Sequence, residues 1–150
     1  MKTLSQPIDA AEIRARILTL TPTDAAQWGI MNVGQMICHG RGALLYAMSD
    51  TPVEFIPAAL PPHALKHVAL KLPVPWSRSF PAIPELRLGS PALITSTFDH
   101  DRDGLLTTLD SFCALTNHTR DHPYFHEMQH EDWMRWGYLH TDHHLRQFSR

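Results

Sequence analysis

Nine of the chain's twelve prolines lie between Thr51 and Pro91. Proline fixes φ, carries no amide donor and is excluded from helix interiors and central strands. The middle of the chain, about 51–91, therefore cannot be one regular element, and regular structure has to form on either side of it. Within it, "PPHALKHVALKL" reads as a short helix, with prolines before and at its start. "PVPWSRSFPAIPELRLGSP" reads as a long extended connection, the kind of segment that serves as a lid or wraps a domain.

Helical periodicity dominates outside this segment. "PIDAAEIRARILTL" predicts a first helix, capped by Asp9 with Glu12 three residues on, and with Ile13, Ile17 and Leu20 at helical spacing. "NVGQMICHGRGALLYAMS" predicts a second, in which Asn32 and Gln35 have capping-box spacing. Val33, Met36, Ile37, Gly40, Leu44 and Ala47 mark its apolar face. Its three glycines lower helix propensity and suit close approach of a neighbouring helix. "DRDGLLTTLDSFCALTNHT" predicts a third helix, ended by "RDHPYF", because His122 precedes a proline. The last helix runs from about Gln129 to Phe148. Two-residue alternation is absent apart from a weak "ALITSTF". The expected fold class is all-α, a four-helix bundle in one domain spanning 1–150, with the proline-rich crossover between the second and third main helices.

A chain of 150 residues buries a core without disulfides or structural metals. Its net charge of −2 is not the basic footprint of a nucleic-acid binder. The longest apolar runs fall far short of a membrane span, and the N-terminus lacks a positive flank followed by an apolar block. Neither a nucleic acid nor a membrane is an expected partner, and the expected location is cytoplasmic. Cys38 and Cys113 are then expected as free thiols.

Histidine is the unusual component, with 11 in the chain. Roughly one His-x-x-x-His pair is expected by chance at that frequency. The sequence has five: 63/67, 118/122, 122/126, 126/130 and 140/144. Helical geometry sorts them. On a wheel centred on His140, Trp133, Trp136, His144 and Gln147 lie within about forty degrees, while Arg135, Asp142 and Arg146 lie opposite. His140 and His144 thus share the aromatic, inward face, with His143 nearer its edge. Inward imidazoles need partners. His39, mid-way along the second helix, is the best third ligand, and three neutral imidazoles with an open position suit zinc. Nickel, cobalt or iron would also be accepted. The competing reading is a set of hydrogen-bonded core histidines. His118, His122, His126 and His130 span a helix end, a proline and a loop, and are expected to be mostly exposed. His63 and His67 read as a surface pair, and His100 sits among acids without calcium-loop spacing.

The order "W-G-x-M…M-I-C-H", then "P-E-L", then "HPYF…EDWMRWGYLHTDHHLRQF", covering about Trp28 to Phe148, resembles the DinB-like superfamily. More narrowly it is similar to a branch known only as a domain of unknown function. The glycine usual after "HP-x-F" is His126 here. The resemblance implies a four-helix bundle, often a homodimer, holding a divalent metal on three histidines. Carried over residue by residue, these are His39, His140 and His144, with zinc or nickel expected first. Some relatives use their metal in thiol transfer or thiol-dependent isomerisation.

The expected function is therefore a metal-dependent enzyme that activates a thiol or a water against a small-molecule substrate. The alternative is a non-catalytic metal-binding or dimerisation module. Glu54, Glu85, Asp99 and His143 are candidate bases, each read first as a surface or structural residue. Gln147 and Gln35, about one turn from proposed ligands, are candidates to orient them. Cys38 reads as a buried thiol rather than a nucleophile. Trp76 and Phe80 either cover the site or anchor the crossover.

Overall fold

Asn32 opens the most buried helix of the molecule through the reciprocal contacts its spacing predicts. Its Oδ1 accepts from the Gln35 amide at 2.9 Å, and Gln35 Oε1 accepts from the Asn32 amide at 2.9 Å. The computed structural model describes residues 1–78 and 80–150. In chain order its helices are α1 (Pro7–Leu18), α2 (Val33–Met48), α3 (Pro62–Lys71), α4 (Phe98–Cys113) and α5 (His130–Gln147). Short 3-10 turns lie at Pro84–Leu86 and Pro91–Leu93. Strands β1 (Arg120–His122) and β2 (His126–Met128) pair antiparallel, with His122 opposite His126.

This hairpin corrects the expected fold class. The chain is mixed, five α-helices and a two-stranded antiparallel sheet among the described residues, and not an all-α four-helix bundle. Three-residue strands are too short for alternation to register in sequence. The segment expected to continue the third helix to Thr119 leaves it at Cys113 instead, and Asn117 turns through φ +52°. His126 takes φ +55° to close the hairpin and stacks on Phe55 at 4.0 Å.

Two local expectations also change. Asp9 is not the cap of α1. Gln6 precedes Pro7 at the helix start, and Asp9 accepts from the Thr3 amide at 2.8 Å. "ALITSTF" forms no strand, since Pro91–Leu93 is a 3-10 turn. The short helix read in "PPHALKHVALKL" is present as α3, which docks on α5 by ion pairs from Lys66 and Lys71 to Asp132, at 3.2 and 3.3 Å.

The core is shared by all the long helices. Ile13, Ile17, Ile37, Leu44, Leu109, Phe112, Trp133, Met134 and Leu145 are fully buried. Helix α2 lies against both α4 and α5, and α1 against α4 and α5. Gly137 lets α5 approach closely. A Cβ there would sit 2.8 Å from Leu4 Cδ1 and 2.8 Å from the buried Phe112 ring. Gly137→Ala is expected to destabilise by about 1–2 kcal/mol, overpacking outweighing the better helix propensity of alanine. Urea unfolding checks this, and an unchanged midpoint would contradict it. Among the described residues no helix is long and apolar enough to cross a membrane. Cys38 and Cys113 are free.

Candidate metal centre

His39 reaches the centre from the middle of α2, and its ring is oriented by the crossover. The Nδ1–H donates to the Leu86 carbonyl at 3.1 Å, which leaves the Nε2 lone pair free. The Leu86 side chain packs against α2 at Gly42. A Cβ at Gly42 would lie 2.9 Å from Leu86 Cδ2. His144 is oriented in the same way from the other side. Its Nδ1 is 3.0 Å from Gln147 Oε1, and Gln147 Nε2 donates to the Trp28 carbonyl at 2.7 Å. The Trp28 carbonyl can only accept, so it fixes which end of the Gln147 amide faces His144. His144 therefore carries its proton on Nδ1 and presents Nε2.

His140, one turn before His144, completes the group. The His39–His140, His39–His144 and His140–His144 ring centroids are 5.3, 4.6 and 4.8 Å apart. One nitrogen from each ring can be chosen so that all lie within 4.8 Å of one another. These three residues could hold a metal ion. The fit has an independent sign. His140 Nδ1 is buried without a hydrogen-bond partner among the described residues. An enclosed imidazole with an unpaired nitrogen is costly unless something supplies the missing contact.

Burial lowers the pKa of all three rings. It pushes His144 down to about 3, with His39 adding to the effect, and His140 well below the ordinary value, with His144 and His39 beside it. His39 is lowered by burial as well, against the Leu86 contact. At neutral pH the rings are uncharged, as metal ligation requires. Trp136 stacks on His140 at 4.8 Å, and Trp76 stands 6.3 Å away.

The three rings open onto a cavity of about 770 Å³, also lined by Trp28, Trp76, Phe80, His122, His143 and Gln147. Trp76 is anchored through its indole N–H to the Ala69 carbonyl at 2.9 Å. The other sequence candidates divide sharply. His143 lines the cavity, whereas Glu54, Glu85 and Asp99 are exposed and none lines it. Gln147 contacts a proposed ligand; Gln35 is occupied by the α2 cap and does not. Cys38 is buried outside the cavity, its thiol 3.7 Å from the Ile94 carbonyl, and burial pushes its pKa up to about 11. It packs as a small hydrophobe and is no resting thiolate.

His63, His67 and His100 are exposed. His118 contacts the Ala47 carbonyl through Nε2 at 3.0 Å. The expectation that the 118–130 histidines are mostly exposed fails most clearly at His122. It is buried, lines the cavity and accepts from the Tyr124 amide at 3.1 Å. The signal was present in "HPYF": a ring acceptor before proline closes a tight turn on the following amides, as an Asx side chain does.

A mixed helical fold with a histidine-lined, largely apolar cavity at the junction of two helices and a proline-rich crossover defines the class. The chain belongs to the family described as "Protein of unknown function (DUF1569)", whose family model matches residues 9–150. No curated protein and no solved structure matches it.

Proposed function

We propose that the protein is a metal-dependent enzyme acting on a small molecule, with His39, His140 and His144 as ligands of one divalent ion, zinc or nickel. The observation that carries this is the convergence of three neutral imidazoles, two with their second nitrogens already oriented, onto one end of a roomy cavity. Three protein ligands with an open position are the pattern of catalytic rather than structural zinc. Bound there, the ion would lower the pKa of a water or thiol brought to it and so supply a nucleophile near neutral pH.

The chain's own groups have definite parts in this reading. Leu86 and Gln147 hold the tautomers of His39 and His144. Trp136 and Trp76 exclude water around His140. His143 is the one sequence-predicted base candidate that lines the cavity, and its burial, with Arg146 adding to the effect, lowers its pKa so that it is a free acceptor at neutral pH. Either a thiol or a water can be the group activated at such a site.

The test is metal analysis of protein purified without a histidine tag and dialysed against zinc. The wild type is expected to carry close to one equivalent, and His39→Ala, His140→Ala and His144→Ala close to none. Wild type and His140→Ala carrying equally little metal would end the proposal. Metal-loaded protein is then screened with glutathione-like thiols and electrophilic acceptors, and with ester and amide substrates. Full occupancy without turnover in either screen would point to a non-catalytic metal-binding module.

A further inference from the structure

The cavity in front of the histidines has a charge bias. Among the described residues no Asp or Glu lines it, but Arg78 and Arg87 do. Both come from the proline-rich crossover, and among the described residues neither makes an ion pair with a carboxylate. Arg78 is held over the Trp28 ring, 4.3 Å from its centroid, a cation–π contact that fixes the guanidinium without neutralising it. Trp28 meets His143 edge-on at 5.8 Å, and His143 adjoins His144 at 5.2 Å. The Arg78 charge therefore stands a short chain of rings from the candidate metal centre. Arg87 donates Nε–H to the Ala82 carbonyl at 3.0 Å, which uses one of its five donors.

The rest of the wall is apolar, and part of it is bare. Ile30, Val74, Phe80 and Leu88 line the cavity yet remain exposed. Exposed apolar side chains lining a cavity suit a ligand with an apolar body. A guanidinium beside such a surface, with no carboxylate among the described lining residues, favours oxyanions such as carboxylates and sulfonates through charge-assisted contacts and disfavours cations.

We infer that the cavity selects a small amphipathic anion, an apolar body bearing a carboxylate or sulfonate, with the body against Trp76 and Phe80 and the acid group on Arg78 and Arg87. This names a substrate class and rests on reading the cavity as a metal-assisted small-molecule site. It also gives the crossover a task, since that segment supplies both cations and both aromatic walls.

Two fluorescent probes share one ring skeleton and differ in charge: 8-anilinonaphthalene-1-sulfonate and the neutral N-phenyl-1-naphthylamine. Both are titrated into the full chain, freed of metal with a chelator, so that binding to an ion plays no part. The wild type is expected to bind the sulfonate at least about tenfold more tightly. In the double variant Arg78→Gln/Arg87→Gln the ratio should fall to about one, with the neutral probe unaffected. Arg14→Gln, in α1 and paired with Asp110 away from the cavity, should leave the ratio intact. Equal binding of the probes by the wild type, an undiminished ratio in the double variant, an equal loss in Arg14→Gln, or failure of both probes to bind would each overturn the inference. Zinc uptake of the same samples keeps the two readings apart. Loss of discrimination with zinc uptake intact confirms the arginine role, whereas discrimination without zinc uptake sinks the metal proposal alone.

Discussion

Zinc added to metal-free protein is expected to raise its thermal midpoint by roughly 8 °C or more, and to do nothing for His140→Ala. An ion held by the three imidazoles that already converge in the folded chain would have no comparable site in the unfolded chain. Such a ligand stabilises by about 4 kcal/mol once its free concentration is about a thousand times the dissociation constant. For a domain of this size each kcal/mol moves the midpoint by about 2–4 °C. Gln147→Ala separates ligand from supporting residue. It leaves His144 in place but removes the acceptor that holds its Nδ1–H, so zinc affinity is expected to fall about 10–100-fold without vanishing. Differential scanning fluorimetry over a zinc series, in a chelator-buffered medium, reads both effects. A zinc shift of equal size in wild type and His140→Ala would show that the ion binds elsewhere.

The expected grouping of His39, His140 and His144 is present in the fold as a cluster of three rings. His140 and His144 are a turn apart on a helix whose opposite face carries Arg135, Asp142 and Arg146, so periodicity turns them away from those charges; they face the cavity, beside the buried side formed by Met134, Tyr138 and Leu145. The partners that orient them were legible only in part. Gln147 falls on the same helical face as His140. Leu86, the acceptor for His39, is 47 residues away in sequence, and its role depends on a backbone carbonyl, which no side-chain pattern reveals. Gly42, against which the Leu86 side chain packs, was legible as one of the α2 glycines that suit close approach of a neighbour, but not which neighbour.

The fold was legible where elements are long and failed where they are short. Capping-box spacing at Asn32 placed α2, and the proline distribution isolated the crossover and its short helix. The hairpin escaped because three residues per strand carry no period. It is specified instead by turn chemistry, a proline at 123 and left-handed backbone at His126. Arg87 and Arg78 likewise lay in a stretch that reads as irregular connection. Their position on the wall of the same cavity as the three histidines follows from how the crossover packs over α2 and α5, a long-range outcome that local sequence does not encode.

His122 makes the last expectation the most demanding on pH. Its Nδ1 accepts from the Tyr124 amide and, more weakly, from the Phe125 amide at 3.4 Å, so the turn requires the lone pair and hence the neutral ring. The ring is stacked on Phe125 at 4.3 Å and faces Trp133 and Trp136. Burial, with Arg120 adding a like charge, pushes its pKa from 6.5 down to about 3. A histidine with a lowered folded pKa contributes its full stability above 6.5. Below that, the unfolded chain takes up a proton that the folded chain refuses, and stability is lost as pH falls toward 3. The loss is about 1.4 kcal/mol per pH unit from this one group. His122→Asn isolates it. The Asn side-chain oxygen can accept from the same amides, as in an Asx turn, but does not titrate. The lost ring imposes a cost that is constant with pH, and the other buried histidines are common to both proteins. In urea unfolding of metal-free protein at pH 7, 6 and 5, the variant is expected to start lower and to decline more shallowly, by about 1.4 kcal/mol per unit below 6.5. Parallel curves would mean that His122 keeps its proton equilibrium on folding, and the neutral, turn-closing role assigned to it would fall.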